Sequence, residues 1–201
     1  MKLHYSPTSP YVRKVLVTAL LGGTYDGIEL VRATLSPITP SAEVQKVNPI
    51  GKIPALLLDD DTALYDSPVI CEYLDSLSKG PRLVPVSGPE RWRVLTQNAL
   101  ADGLLEAAQL IRAEALRPDG SHFEPWLAAQ RIRMENALRA LDAEAVQELT
   151  KLTLGSVAAC CALGWLDFRM PDLGWRERHA RLASWYEGFA NEWFMRKTAP
   201  A

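Results

Sequence analysis

A mixed α/β domain followed by an all-helical domain is the fold class this sequence predicts. Up to about residue 77, short strand-like and helix-like segments alternate. Residues 79–89, KGPRLVPVSGP, then break the pattern with prolines and glycines. Beyond Pro89 only helical periodicity remains. The division falls at 1–78, a linker at 79–88, and a helical domain at 89–201.

In the first domain, residues 2–6 read as a strand. Residues 10–21 read as a helix, because Val12, Val15, Leu16, Ala19 and Leu20 share a face and Gly22-Gly23 stops it. Residues 25–31 form a second strand with Ile28 and Leu30 on one side, and 41–47 a short helix. Residues 55–58 and 63–65 make a hairpin around Asp59-Asp60-Asp61. Ser67 opens a helix striped by Ile70, Tyr73, Leu74 and Leu77. The order βαβαββα implies a small sheet with helices packed on it.

In the second domain, residues 89–117 form one long helix with Trp92, Leu95, Ala99, Ala107, Ala108 and Ile111 near one face, broken by Pro118-Asp119-Gly120. Residues 125–149 form another, with Leu127, Met134, Leu138 and Leu141 apolar. Residues 153–168 are apolar on nearly every side, the pattern of a helix inside a core. Pro171 and Gly174 close that region, and one or two short helices follow to about residue 194.

Composition narrows the partners. The formal net charge is −2, which argues against nucleic acid and anionic membrane. The opening MKLHYSPTSPYVRKV meets prolines and charges before any long apolar run, unlike a signal peptide. The most apolar stretch, 152–168, is short for a membrane span and ends beside Asp167 and Arg169. The three cysteines, Cys71, Cys160 and Cys161, show no disulfide framework or metal-ligand spacing, so no metal is expected and a reducing cytoplasm fits.

Three motifs carry chemistry. Pro54 after Ile53 opens an apolar strand. A trans bond makes it a strand opener, whereas a cis bond would turn the Ile53 backbone outward to pair with an extended peptide. Asp66-Ser67-Pro68 starts a helix. Ser67 is a natural cap, and the same helix N-terminus offers free N–H groups to a carboxylate while Asp66 offers its charge to an ammonium. Ser9-Pro10 repeats the helix start. No Gly-x-Ser-x-Gly elbow surrounds Ser9, so a nucleophile is poorly supported. As a hydrogen-bond donor it suits a bound thiolate, whose pKa a helix N-terminus lowers.

SPTSPYVRKV, NPIGKIPAL and DSPVICEYL, in that order and spacing, with TLGSVAACCALGWLDFR in the helical half, resemble the cytosolic glutathione S-transferase family. The likeness spans residues 1–198 and lies nearest bacterial members with serine at the first-helix start. The resemblance implies a thioredoxin-like first domain and glutathione as co-substrate. By that likeness Ser9 activates the glutathione thiol, the Ile53 backbone holds the cysteinyl unit beside cis Pro54, Asp66 and Ser67 grip the γ-glutamyl group, and Lys52 steadies the glycyl carboxylate. It further implies a homodimer, with Asp102 a candidate to reach across the interface, against the commoner fate of a solvated helix face. An electrophilic second substrate would lie between the domains, near Tyr11, Leu105, Gln109, Arg112 and Trp165. A glutathione-binding carrier or assembly subunit with little turnover, and a glutathione-dependent peroxidase or thiol oxidoreductase, are the rival functions.

Departures from the family pattern matter. Ser9 stands where omega-like relatives carry cysteine, which disfavours mixed-disulfide chemistry. Tyr5 and Thr8 are rivals to Ser9. Ser156 replaces the acid that usually closes the cap of the buried helix, so a weaker cap, with slower folding or lower stability and no loss of function, is expected. Asp66 is the shorter acid where many members have glutamate.

Overall fold

The computed structural model describes residues 1–36, 38–145 and 147–200. One four-stranded sheet has the order β2-β1-β3-β4. Strand β1 (Lys2–Tyr5) is parallel to β2 (Glu29–Arg32) and antiparallel to β3 (Ala55–Leu57), which pairs antiparallel with β4 (Ala63–Leu64). The parallel pair requires a crossover, and α1 (Pro10–Gly22) supplies it. Helices α2 (Ala42–Gln45) and α3 (Ser67–Ser76) complete the expected βαβαββα order. Val12, Val15 and Ala19 of α1 and Ile70, Cys71 and Leu74 of α3 bury against Leu3 and Leu56 of the sheet.

The second strand starts later than the periodicity predicts. Tyr25–Gly27 form a 3-10 turn, and the Ile28 N–H bonds back to the Tyr25 carbonyl at 3.1 Å before pairing begins. Leu30, expected inward with Ile28, lies 36% exposed because β2 is an edge strand.

The second domain contains α4 (Pro89–Glu114), α5 (Glu124–Glu144), α6 (Leu154–Arg169), α7 (Trp175–Arg178), α8 (Ala180–Ala190) and α9 (Trp193–Lys197). Helix α4 stops short of 117 because Leu116 and Arg117 bond three residues back, tightening the chain before Pro118. Helix α5 stops at Glu144, where the N–H groups of Glu148 and Leu149 return to one carbonyl. Its predicted continuation to 149 includes Val146, which lies outside the described residues, as does Ala201 at the end of the predicted helical domain. Trp92 and Ala99, expected on the core face of α4, are exposed. Packing against both α5 and α6 selects Ala101, Leu104, Leu105 and Ala108 instead, while Val94 joins the core of the α/β domain. Every residue of α6 from Leu154 to Leu166 is buried, as an all-round apolar helix requires.

The segment between α3 and α4 has no regular structure, yet it is held firmly. The buried Asp75 carboxylate accepts the N–H groups of Leu83 at 2.7 Å and Val84 at 3.2 Å and pairs with Arg82 at 2.8 Å. The Leu83 carbonyl then accepts the N–H of Leu154, tying the segment to α6. The two domains meet along a seam where Val17 of α1 packs with Val157, Cys160 and Cys161 of α6 and with Phe194 and Met195 of α9. Burial on both sides explains why α1 hides Arg13, Lys14 and Thr18 as well as its apolar stripe.

Candidate functional site

Strand register brings the three motifs to one end of the sheet. His4 pairs with Ala55, and Leu56 with Leu64. The chain therefore leaves β1 toward Ser6–Ser9 at the same end where Ile53-Pro54 enters β3 and where β4 runs out to Asp66-Ser67.

Ser9 caps α1. Its Oγ accepts the Val12 N–H at 3.3 Å, which leaves its own O–H free to donate outward. Thr8, a rival, faces the Ser6 hydroxyl at 3.4 Å. Tyr5, the other rival, is half-buried against the core of the α/β domain.

The turn ahead of Ile53 is organised by Asn48, which is almost fully buried. Its side chain donates to the Lys52 carbonyl at 2.8 Å and accepts the Ile50 N–H at 3.1 Å. Gly51, at φ +69, closes the turn in a conformation that disfavours other residues. The Ile53–Pro54 bond is cis, as is Tyr65–Asp66. Ile53 lies outside the paired register, which begins at Ala55, so the sheet does not engage its main chain. The Lys52 side chain is exposed beside it.

The start of α3 is open. Asp66 occupies the N-cap position without a side-chain cap bond, and its side chain is exposed. Ser67 is 2% exposed, and its hydroxyl has no hydrogen-bond partner among the described residues. Pro68 contributes no N–H, so the first-turn N–H groups of Ser67 and Val69 have no capping side chain.

Below this end of the sheet, α1 and α4 share a buried polar cluster. The Lys14 ammonium donates to Asn98 at 2.7 Å and to both Asp102 oxygens at 2.8 Å. Asn98 donates to Asp102 at 3.0 Å, and the Tyr11 hydroxyl donates to the Asp102 carbonyl at 3.4 Å. The Asp102 carboxylate is thus engaged by Lys14 and Asn98, a correction to the solvated helix face expected for it. Burial pushes its carboxyl above the ordinary value, against the pull of Lys14. Burial, then the carboxylates of Asp102, Glu106 and Asp66, push the Tyr11 phenol up, so it stays protonated.

The five residues considered for a second substrate do not form one group. Trp165 lines a small recess with Thr8, Ser9 and Arg13. Tyr11 bridges the domains as described. Leu105 is 2% exposed within the helical-domain core. Gln109 is half-buried on α4, and the exposed Arg112 donates to the Arg169 carbonyl at the end of α6, at 2.8 Å.

Arg13, Lys14, Asn48 and Asp75 received no role from the sequence. The signal for the first two was present: an Arg-Lys pair inside the otherwise apolar helix VRKVLV. All three cysteines are free and buried, and burial pushes the Cys71 thiol to about 12 and the Cys161 thiol to about 11. Among the described residues no cluster of His, Cys, Asp and Glu could hold a metal, and no helix is long and apolar enough to cross a membrane.

Known proteins show the same architecture. Family models for the glutathione S-transferase N-terminal and C-terminal domains match residues 8–77 and 124–188. The chain is 33% identical over 205 residues to the uncharacterized GST-like protein YibF of Escherichia coli (strain K12), covering 100% of this chain and 99% of that protein. It is similar to a glutathione transferase family member from Pseudomonas fluorescens Pf-5 solved with bound glutathione, at 46% identity and TM-score 0.96, covering 100% and 98% of the two chains. A glutathione S-transferase from Methylobacillus flagellatus KT with GSH bound shows 34% identity and TM-score 0.89, covering 100% and 99%.

Proposed function

The chain belongs to the glutathione S-transferase family, with a thioredoxin-like domain followed by a helical one, and from that premise we propose that it binds glutathione and activates its thiol for attack on an electrophilic small molecule. The observation that carries this reading is the convergence of Ser9, Ile53-Pro54 and the open start of α3 at one end of the sheet. In it the Ile53 main chain pairs with the cysteinyl unit as an added strand would. Asp66 takes the γ-glutamyl ammonium, while Ser67 and the free N–H groups of α3 take its carboxylate. Lys52 neutralises the glycyl carboxylate.

The thiol then lies at the Ser9 turn. The Ser9 oxygen is already polarised by the Val12 N–H, so its O–H is a stronger donor to sulfur. Lowering a thiol pKa by about two units requires about 2.7 kcal/mol of preference for the thiolate. One charge-assisted hydrogen bond and the α1 dipole are of that size. The thiolate attacks the electrophilic carbon, a C–S bond forms, and the leaving group departs with the electron pair of the broken bond.

Thiol-disulfide exchange by the protein itself is disfavoured, since Ser9 replaces the attacking thiol and the three cysteines are buried. Their free state fits a reducing cytoplasm. A homodimer is proposed through the exposed Val69 of α3 and Trp92 of α4, two helices tied by the Arg91–Glu72 ion pair at 2.5 Å. Sedimentation of wild type and Trp92→Glu tests that assembly.

Retention on immobilised glutathione, followed by conjugation of a general aromatic electrophile, tests the function. Ser9→Ala is expected to lower kcat/KM about a hundredfold while glutathione still binds. Full activity in that variant would remove Ser9 from the mechanism. Retention without turnover on a broad panel would favour a carrier, and no retention would sink both glutathione readings.

A further inference from the structure

Arg13 follows Ser9 by one helical turn and is 8% exposed. Among the described residues it has no carboxylate partner. Its Nη2 donates to the Met195 carbonyl at 2.8 Å and its Nε to the Thr198 hydroxyl at 3.4 Å. Thr198 in turn donates to the Phe194 carbonyl at 2.9 Å. Gly164 of α6 makes room for the guanidinium, since a Cβ there would meet Nη1 at 2.7 Å. A second tether comes from Lys197, whose ammonium sits 4.9 Å from the centre of the Tyr25 ring. Past these anchors, Pro200 lines the recess that also contains Thr8, Ser9 and Trp165.

We propose that Arg13 is a positioning residue that clamps the C-terminal tail, so that residues 198–200 wall the electrophile compartment at Ser9 and limit the size of the second substrate. This rests on the transferase reading above. The energetics suit a strap that opens. Closing it strips water from a guanidinium whose hydrogen-bond partners among the described residues are neutral, and the new hydrogen bonds offset that loss. Opening returns the charge to water. The closed tail leaves a recess of only about 10 Å³ beside Ser9, so a bulky electrophile must displace the tail further than a small one.

Two variants test it: the chain shortened to end at Thr198, and Arg13→Met. In both, kcat/KM for a bulky aromatic electrophile relative to a small one is expected to rise about fivefold or more. The change should appear in KM for the bulky compound rather than in kcat for the small one. Amide exchange at residues 195–198 should accelerate in Arg13→Met, a readout independent of turnover. An unchanged selectivity ratio in the shortened chain would overturn the wall, and unchanged exchange in Arg13→Met would overturn the clamp. If Arg13→Met does not fold, Thr198→Val removes the Nε acceptor and is judged by the same exchange rates. Glutathione titration of wild type separates the premises: no binding refutes the transferase reading, while the exchange result still decides the clamp.

Discussion

Two helix starts in this molecule read alike in sequence and differ in space. Helix α6 begins at Thr153-Leu154-Gly155-Ser156, and the box closes on itself. The Ser156 N–H donates to the Thr153 hydroxyl at 3.3 Å, and the Thr153 N–H donates to the Ser156 hydroxyl at 3.0 Å. Ser156 also donates to the Thr153 carbonyl at 3.0 Å and is fully buried. The return partner expected to be weak makes every bond available to it. Helix α3 begins at Asp66-Ser67-Pro68 and has no side-chain cap. The first start spends its donors on the fold, whereas the second leaves them available for a ligand. Helix α1 is intermediate, since Ser9 accepts its cap bond and keeps its proton.

The contrast can be broken experimentally. The largest expected effect is Gly155→Ala. The new Cβ would meet the Gln97 side chain at 2.5 Å, and Gln97 is held by Glu144 at 2.9 Å, so about 2 kcal/mol of stability should be lost in denaturant titration. Next comes Ser67→Ala. It should weaken glutathione binding about tenfold, the worth of one hydrogen bond to a charged group, with little change in Tm. Calorimetry reads both, and unchanged affinity would remove Ser67 from the site. Thr153→Ala should do the reverse, costing about 1 kcal/mol of stability while leaving glutathione affinity alone. Smallest is Ser156→Asp. The helix dipole favours the charge and full burial opposes it, so stability should stay within about 0.5 kcal/mol of wild type. A clear gain in Tm would show that serine there does weaken the cap, as the sequence led us to expect.

How much was legible depended on the range of the interaction concerned. The apolar faces of α1 and α3 and the buried character of α6 follow from local periodicity, and the breaks at Gly22-Gly23 and Pro118 from local backbone preference. The late start of β2 was missed because one hydrogen bond inside the Tyr25–Gly27 turn consumes the Ile28 N–H. Trp92 was assigned to the core because periodicity marks an apolar face without saying which neighbours cover it. The proline-rich stretch at 79–88 read as a linker, and Asp75 holds its backbone through two N–H groups. The motifs at Ser9, Ile53-Pro54 and Asp66-Ser67 were visible one by one, but their meeting at one end of the sheet is a property of strand register.

The sequence by itself determined where helices start and stop, which faces are apolar, and which residue types stand at each helix entrance, because neighbours along the chain settle these. Tertiary structure alone decided which entrance stays open and which charges are buried. Lys14 finds Asp102 some 88 residues away and Arg13 finds Met195 some 182 residues away. No local rule reaches that far, because the desolvation that makes such pairs matter exists only once the two domains have closed on α1.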